Sequence, residues 1–459
     1  MIQSLGYPVE VHHVTSGDGY ILELHRIPYG LSSRGNGDRP VALLHHGMHG
    51  SSADWILNTP DQALGECWDL IAFLLLFIEI SYILADKAYD VWLANARGNR
   101  YSRAHRTLDP NDIKFWNFSW DEMADWDLPA MIDYILRTTG ERALFYVGFS
   151  MGTTVLFAML SEHPEYNDKI RAMAALAPVA YQGNARGLAS FVAPFINEID
   201  VSAGPLGLAT LTGMGVGEAF PNSEPHRSLA AYFCDKHSPL QKICRKILSV
   251  IEGPSPGETN RDFLPKIVAH IPAGTSVHTV SHFGQLMTSG EAAMEPGMER
   301  NMSTMQRTPV TENRYHVVPR VIQYCLHNRN DTEPLDVEMA QMLHLSFARH
   351  GFLHREKVLL TDGFFKFDLG PAGNLKRYGQ SQPPSYNLGR TLIPVAIFAG
   401  ENDYLADPRD VELTERELPN VVQTTALASF SHVDFILAAH AYEYVYKNVL
   451  DFFSSYMEN

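Results

Sequence analysis

The stretch "ALFYVGFSMGTTVLFAML", Ala143 to Leu160, constrains the fold of this chain more than any other. It sets an apolar run, a Gly, a Ser and a second Gly directly against an apolar helical pattern. A strand that turns sharply into a helix holds the turn residue in strained backbone geometry, and its neighbours must be small. Gly148 and Gly152 meet that demand and leave Ser150 projecting above a sheet, as in a G-x-S-x-G nucleophile elbow. The helix start behind it offers free N–H groups and a positive dipole end, which suit a developing oxyanion. A chain of this length shows the five-residue pattern by chance about 0.1 times. A second match exists at "GPSPG", Gly253 to Gly257. Prolines flank its Ser255 and no apolar strand precedes it, so it reads as a loop.

Around the elbow, short apolar runs alternate with helical patterns. The runs are Pro40 to Gly47, Tyr89 to Asn99, Ala143 to Gly148, Ala172 to Ala180, Ile393 to Gly400 and Val421 to Leu427; Asp121 to Leu136 has helical spacing. This rhythm predicts βαβ units, hence an α/β fold with a mostly parallel central sheet. From Gln182 to Ser385 the strand runs give way to helical and loop segments rich in Gly, Pro and Ser. The chain therefore divides into a first core part over 1–181, an inserted and mainly helical cap over 182–385, and a last core part over 386–459. With 45% hydrophobic residues in 459, there is material for a large core.

A serine hydroxyl is a poor nucleophile until a base takes its proton. In this architecture an acid and then a histidine follow the serine in chain order, on loops after later strands. "ENDYLADP" follows the run ending at Gly400, so Asp403 is the candidate acid and Asp407 its rival; "ASFSHVDF" follows the next run and supplies His432. The backbone N–H of Met151, directly after the serine, is one oxyanion donor. "LLHHGMHGSS" closes an earlier strand with His46 and Gly47 and makes Met48 the second. No CxxC pair and no HExxH is present, so neither a metal nor a cofactor is expected.

The formal net charge of −16 argues against nucleic acid or an anionic membrane as partner, and leaves a neutral lipid or ester substrate open. No 18-residue uncharged apolar stretch exists, so no transmembrane helix is expected. The nearest run, Leu70 to Ile78, is flanked by Asp69 and Glu79 and reads as a buried helix. The opening "MIQSLGYPVE" has no basic start or apolar leader, so no signal peptide is expected in this chain. Cys234 and Cys244 stand close enough for a local disulfide, and "NFS" at Asn117 is a glycan acceptor pattern.

With these residues in view, the chain resembles the acid lipase family, the group that contains gastric lipase and lysosomal acid lipase. The likeness runs through "GYPVEVHHVTSGDGYILELHRIP", "HHGMHGSSADWILN", "YDVWLANARGNRYSRAH", "FWNFSWDEMADWDLPAMIDYIL", "AHIPAGTSVHTVSHFGQL", "NLKRYGQSQPP", "ENDYLADPRDV" and "SHVDFI". The resemblance implies an α/β-hydrolase fold with helices on both faces of the sheet and a cap. It implies hydrolysis of carboxylic esters of neutral lipids, triacylglycerol or steryl ester, at a lipid–water interface. Carried over by motif, the nucleophile falls on Ser150, the acid on Asp403, the base on His432 and the oxyanion donors on Met48 and Met151. It also implies a cap disulfide, which Cys234 and Cys244 resemble, and a secreted or endolysosomal location. An esterase for soluble short-chain esters and a lipid-binding homologue without catalysis are the alternatives. Three departures from the family are expected: the elbow reads "GFSMG" where G-H-S-Q-G is usual, the family's secretory leader is not seen, and two segments, 66–81 and 291–362, have no family counterpart.

Overall fold

The computed structural model describes residues 1–33, 37–57, 79–193, 217–235, 237–255, 264–289 and 363–457. Within these, the strands are β1 (Glu10–Thr15), β2 (Tyr20–Ile27), β3 (Val41–His45), β4 (Asp90–Leu93), β5 (Ala104–His105), β6 (Leu144–Phe149), β7 (Ile170–Leu176), β8 (Glu218–Ala219), β9 (Thr275–Ser276), β10 (Val395–Gly400) and β11 (Val421–Leu427). The main sheet runs β1-β2-β4-β3-β6-β7-β10-β11, with β5 on β2. From β4 to β11 every pairing is parallel; β1–β2 and β2–β4 are antiparallel.

Burial explains which strands the sequence announced. β3, β4, β6 and β10 are buried at every position. Strands covered on both faces read as unbroken apolar runs, and these did. The hairpin β1–β2 lies at the edge, and its "EVHHVT" strand exposes or half-exposes five of six positions. It carries no such run, and the apolar pattern alone did not reveal it.

Two expected strands end early. The Tyr89 to Asn99 run forms a strand only as far as Leu93. Beyond it the polar side chains leave the ladder for other work: Asn95 accepts the Ser52 N–H, and the fully buried Arg97 pairs with Asp18 and Asp127. The Ala172 to Ala180 run stops at Leu176, where Ala177 takes a positive φ of 45°.

The helices are α1 (Ile80–Asp86), α2 (Leu128–Thr139), α3 (Met151–Glu162), α4 (Glu224–Cys234), α5 (Gln241–Glu252), α6 (Leu264–His270), α7 (Val277–Ser289), α8 (Gly370–Tyr378), α9 (Pro408–Glu417), α10 (Asp434–Leu437) and α11 (Lys447–Ser454). The helical pattern at Asp121 begins with a capping box, Ser119 to Glu122, and enters α2 through a π turn at Met123–Asp127. Pro129, which has no N–H to give, sits where that wider turn ends. The run Leu70 to Ile78, most of 66–81 and all of 291–362 lie outside the described residues.

Candidate active site

Ser150 joins β6 to α3 with φ 51° and ψ −118°, a left-handed conformation that L-residues avoid. Its own N–H donates to Leu176 O, and its carbonyl accepts from Thr153 Oγ1 at 2.6 Å. A Cβ on Gly152 would fall 2.3 Å from the His45 carbonyl oxygen. One on Gly148 would press on Gly152 C, Thr153 N and the Tyr146 ring, each at 3.0 Å. The two glycines therefore let α3 pass directly over the ends of β3 and β6, and the strained turn is held from both sides.

β10 and β11 deliver the partners. Asp403 follows β10; its Oδ1 accepts the Leu405 and Ala406 N–H groups, each at 2.8 Å, and its Oδ2 meets His432 Nδ1 at 2.8 Å. His432, on the loop after β11, places Nε2 2.8 Å from Ser150 Oγ. Asp403 and His432 are buried and Ser150 is half-buried. Burial works to lower the His432 pKa, but the Asp403 carboxylate, its hydrogen bond and the Glu252 carboxylate outweigh it, and the imidazole stands above its ordinary value. The arrangement can take the Oγ proton onto Nε2 while Asp403 fixes the Nδ1–H tautomer and holds the resulting positive charge.

The rival acid has other duties. Asp407 Oδ1 caps α9 through the Arg409 N–H at 3.0 Å, and the carboxylate pairs with Arg186 and Arg409. Burial pushes its pKa up, yet the Arg409 hydrogen bonds and the two arginine charges hold it below the usual carboxylate range.

The turn after β3 lies against the elbow: a Cβ on Gly47 would sit 3.4 Å from Ser150 Cβ. His46 pins this turn, with Nδ1–H donating to Gly47 O at 2.7 Å and Nε2 accepting the Ala96 N–H at 3.0 Å. Acceptance at Nε2 needs the neutral ring, and burial pushes the His46 pKa down to about 3. Met48 follows Gly47 in the turn, and Met151 opens α3, where first-turn N–H groups have no intrahelical acceptor. His49, which the sequence reading passed over, is half-buried near His432. Desolvation and the nearby His432 charge lower its pKa to about 4.

Comparison with known proteins supplies the family. The family described as alpha/beta hydrolase fold matches residues 40–209, and that described as partial alpha/beta-hydrolase lipase region matches residues 1–59. Lipase lipl-1 of Caenorhabditis elegans is 31% identical over 458 residues, covering 98% of this chain and 89% of that protein. Gastric triacylglycerol lipase of Homo sapiens is 32% identical over 456 residues, covering 99% and 90%. The chain belongs to the acid lipase family. It is a lipase, a carboxylic ester hydrolase. Lipase 3 of Drosophila melanogaster, 33% identical over 99% of this chain and 92% of its own length, is a further relative. Among solved structures, a candidate lipase of Sulfolobus solfataricus shares the fold with a TM-score of 0.52 at 14% identity, over 97% of this chain and 94% of its own.

In this acid lipase Cys234 and Cys244 form a disulfide between the end of α4 and the first turn of α5. Cys67 and Cys325 lie outside the described residues. Asn117 is exposed at the end of a short 3-10 turn. Among the described residues no helix is long and apolar enough to cross a membrane, and no cluster of three potential metal ligands occurs.

The turn after α5 is the part of the site that sequence reasoning missed. The Glu252 carbonyl accepts the backbone N–H groups of Tyr404 and His432. Ser255, the serine of the second G-x-S-x-G match, donates from Oγ to Asp434 Oδ1 at 2.7 Å. Asp434 Oδ2 in turn accepts the Ser431 N–H at 2.6 Å and the Ser431 hydroxyl at 2.8 Å. Its only sequence signal was the repeated spelling itself.

Proposed function

We propose that this lipase hydrolyses carboxylic esters of neutral lipids by two-step acyl transfer, with Ser150 as nucleophile, His432 as general base and acid, and Asp403 as its orienting acid. The observation that carries this reading is the unbroken line of hydrogen bonds from Asp403 through His432 to Ser150 Oγ at the strained elbow. Ser150 Oγ attacks the ester carbonyl carbon and gives its proton to His432 Nε2. The Met48 and Met151 N–H groups hold the tetrahedral oxyanion. His432 then protonates the departing alkoxide. Water repeats the cycle and frees the fatty acid.

The segment 182–385 acts in this reading as a cap carrying the lipid-facing surface. Tyr232 and Phe233 on α4, and Ile243, Ile247 and Val250 on α5, are exposed. The last three recur at helical spacing and make one apolar stripe, a surface suited to an interface. That surface and the name of the human relative favour triacylglycerol; steryl esters are the second substrate of the proposal. The Cys234–Cys244 bond supports passage through an oxidising compartment, hence a secreted or endolysosomal location, with the exposed Asn117 as glycan acceptor.

The test is a fluorophosphonate label followed by peptide mapping, with turnover measured on emulsified and dissolved esters. The expected result is a label on Ser150 and faster turnover of emulsified long-chain substrate. Preference for dissolved short-chain esters would make the protein a carboxylesterase instead. No label at all would leave a lipid-binding protein without catalysis.

A further inference from the structure

Beside the proposed triad stands a further carboxyl group. Glu252 ends α5, and its main-chain carbonyl accepts hydrogen bonds from Tyr404 N at 3.2 Å and His432 N at 3.3 Å, one on each loop that carries the acid and the base. The next residue, Gly253, has φ 108°, and a Cβ there would fall 1.9 Å from the Asn402 carbonyl oxygen. The end of α5 is thus pressed against the acid loop by direct backbone contact. The Glu252 side chain follows it inward: Oε2 is buried and has no hydrogen-bond partner among the described residues. The titratable groups that face it are His432, Asp403 and Asp434. His49, whose pKa is lowered by burial and by the His432 charge, is neutral above about pH 4.

We propose that Glu252 is a positioning residue of this esterase, a cap-borne carboxylate that supports the charged form of His432 during acyl transfer and so sets the lower pH limit of activity. The proposal rests on the triad reading above. It adds no bond-making step: the proton still moves from Ser150 Oγ to His432 Nε2 and on to the leaving alkoxide. Glu252 supplies only a negative charge that is present while the imidazolium exists. A buried carboxyl oxygen without a hydrogen-bond partner among the described residues is costly in a fold that has no use for its charge, and the positive charge that acts on Glu252 is that of His432. Burial lifts the Glu252 pKa to about 7, opposed by His432 and assisted by Asp403 and Asp434, so its charge changes within the physiological range.

The sign follows from charge. A carboxylate near the ring favours imidazolium and raises the pH at which His432 becomes a free base. Removing it lowers that pH. Glu252→Gln keeps the backbone carbonyl and the side-chain shape, and Glu252→Asp keeps the charge.

The experiment measures the second-order rate of fluorophosphonate labelling of Ser150 from pH 4 to 9 in the full chain and both variants. In Glu252→Gln the acid limb should move down by about 0.5–1 pH unit, and the plateau should fall about three- to tenfold. Glu252→Asp should keep its acid limb within about 0.3 unit of the parent. An acid limb that stays in place in Glu252→Gln, or moves up, overturns the proposal. If Glu252→Gln does not fold, the limb of Glu252→Asp decides: a downward shift as large as that expected for the amide would mean that the charge has no part in it. Failure of the parent to label would instead sink the triad reading.

Discussion

Two stretches of this chain spell G-x-S-x-G, and they do different physical work. At Gly148–Gly152 the serine is strained at φ 51° between a buried strand and a buried helix, and its hydroxyl faces His432. At Gly253 the glycine is the strained residue, at φ 108°. Ser255 sits in an ordinary loop with its hydroxyl turned to Asp434. In both, a missing Cβ permits a close approach: Gly152 against the His45 carbonyl, Gly253 against the Asn402 carbonyl. The first approach builds the floor of the site, and the second clamps the end of α5 to the loops that carry Asp403 and His432. The spelling therefore records a tight backbone crossing, and the element before it decides whether the serine is aimed at a base.

The comparison can be broken in four ways, from the largest effect to the smallest. Ser150→Ala should lower ester turnover by more than about a thousandfold without shifting thermal unfolding much, since the side chain packs no core. Turnover within tenfold of the parent would move the nucleophile elsewhere. Asp403→Asn should cost about a hundred- to ten-thousandfold by losing the tautomer that places Nε2 toward Ser150. Asp407→Asn should stay within about twofold in rate and lose about 1 kcal/mol of stability or less, because it only caps α9 and pairs with arginines. Steady-state kinetics beside thermal melts separate the two. Gly253→Ala must push the α5 turn off Asn402, and a displacement of that kind should cost about ten- to a hundredfold in kcat. Ser255→Ala removes one support of Asp434 and should cost about two- to fivefold, seen in kcat with KM unchanged. A loss as deep as that of Ser150→Ala would mean that the second serine reaches the chemistry directly.

How legible the molecule was depends on where free energy is written in sequence. Ser150 and Asp403 follow β6 and β10, strands buried at every position and visible as apolar runs; His432 follows β11, which is buried only at Leu427 and was read from its β-branched run, so position after a run picked out all three candidates. The choice of Asp403 over Asp407 followed the same cue, and the hydrogen bonds agree with it: Asp403 faces His432 while Asp407 is spent on a helix cap. Met48 was picked out as a candidate through the Gly47 turn. What stayed hidden depends on contacts between distant segments. Glu252 and Ser255 meet the histidine loop across separations of about 180 residues, and nothing local marks them. Arg97 looked like part of a strand. It is instead a buried cation lying 4.0 Å over the Tyr20 ring and paired with two carboxylates from other elements. The edge hairpin β1–β2 escaped because a half-exposed strand needs few apolar residues.

The hydrogen bonds from Tyr404 and His432 to the Glu252 carbonyl carry one more consequence. They make the seating of α5 and the alignment of the imidazole two views of a single equilibrium, and equilibria that share a state are linked reciprocally. If, as proposed above, Ser150 carries the acyl group and a lipid surface favours the seated helix by some factor, the acyl group must return the same factor by tightening that helix against its loops. In that reading the grip of α5 on the two loops and the grip of the site on its acyl intermediate are the same free energy seen from opposite ends.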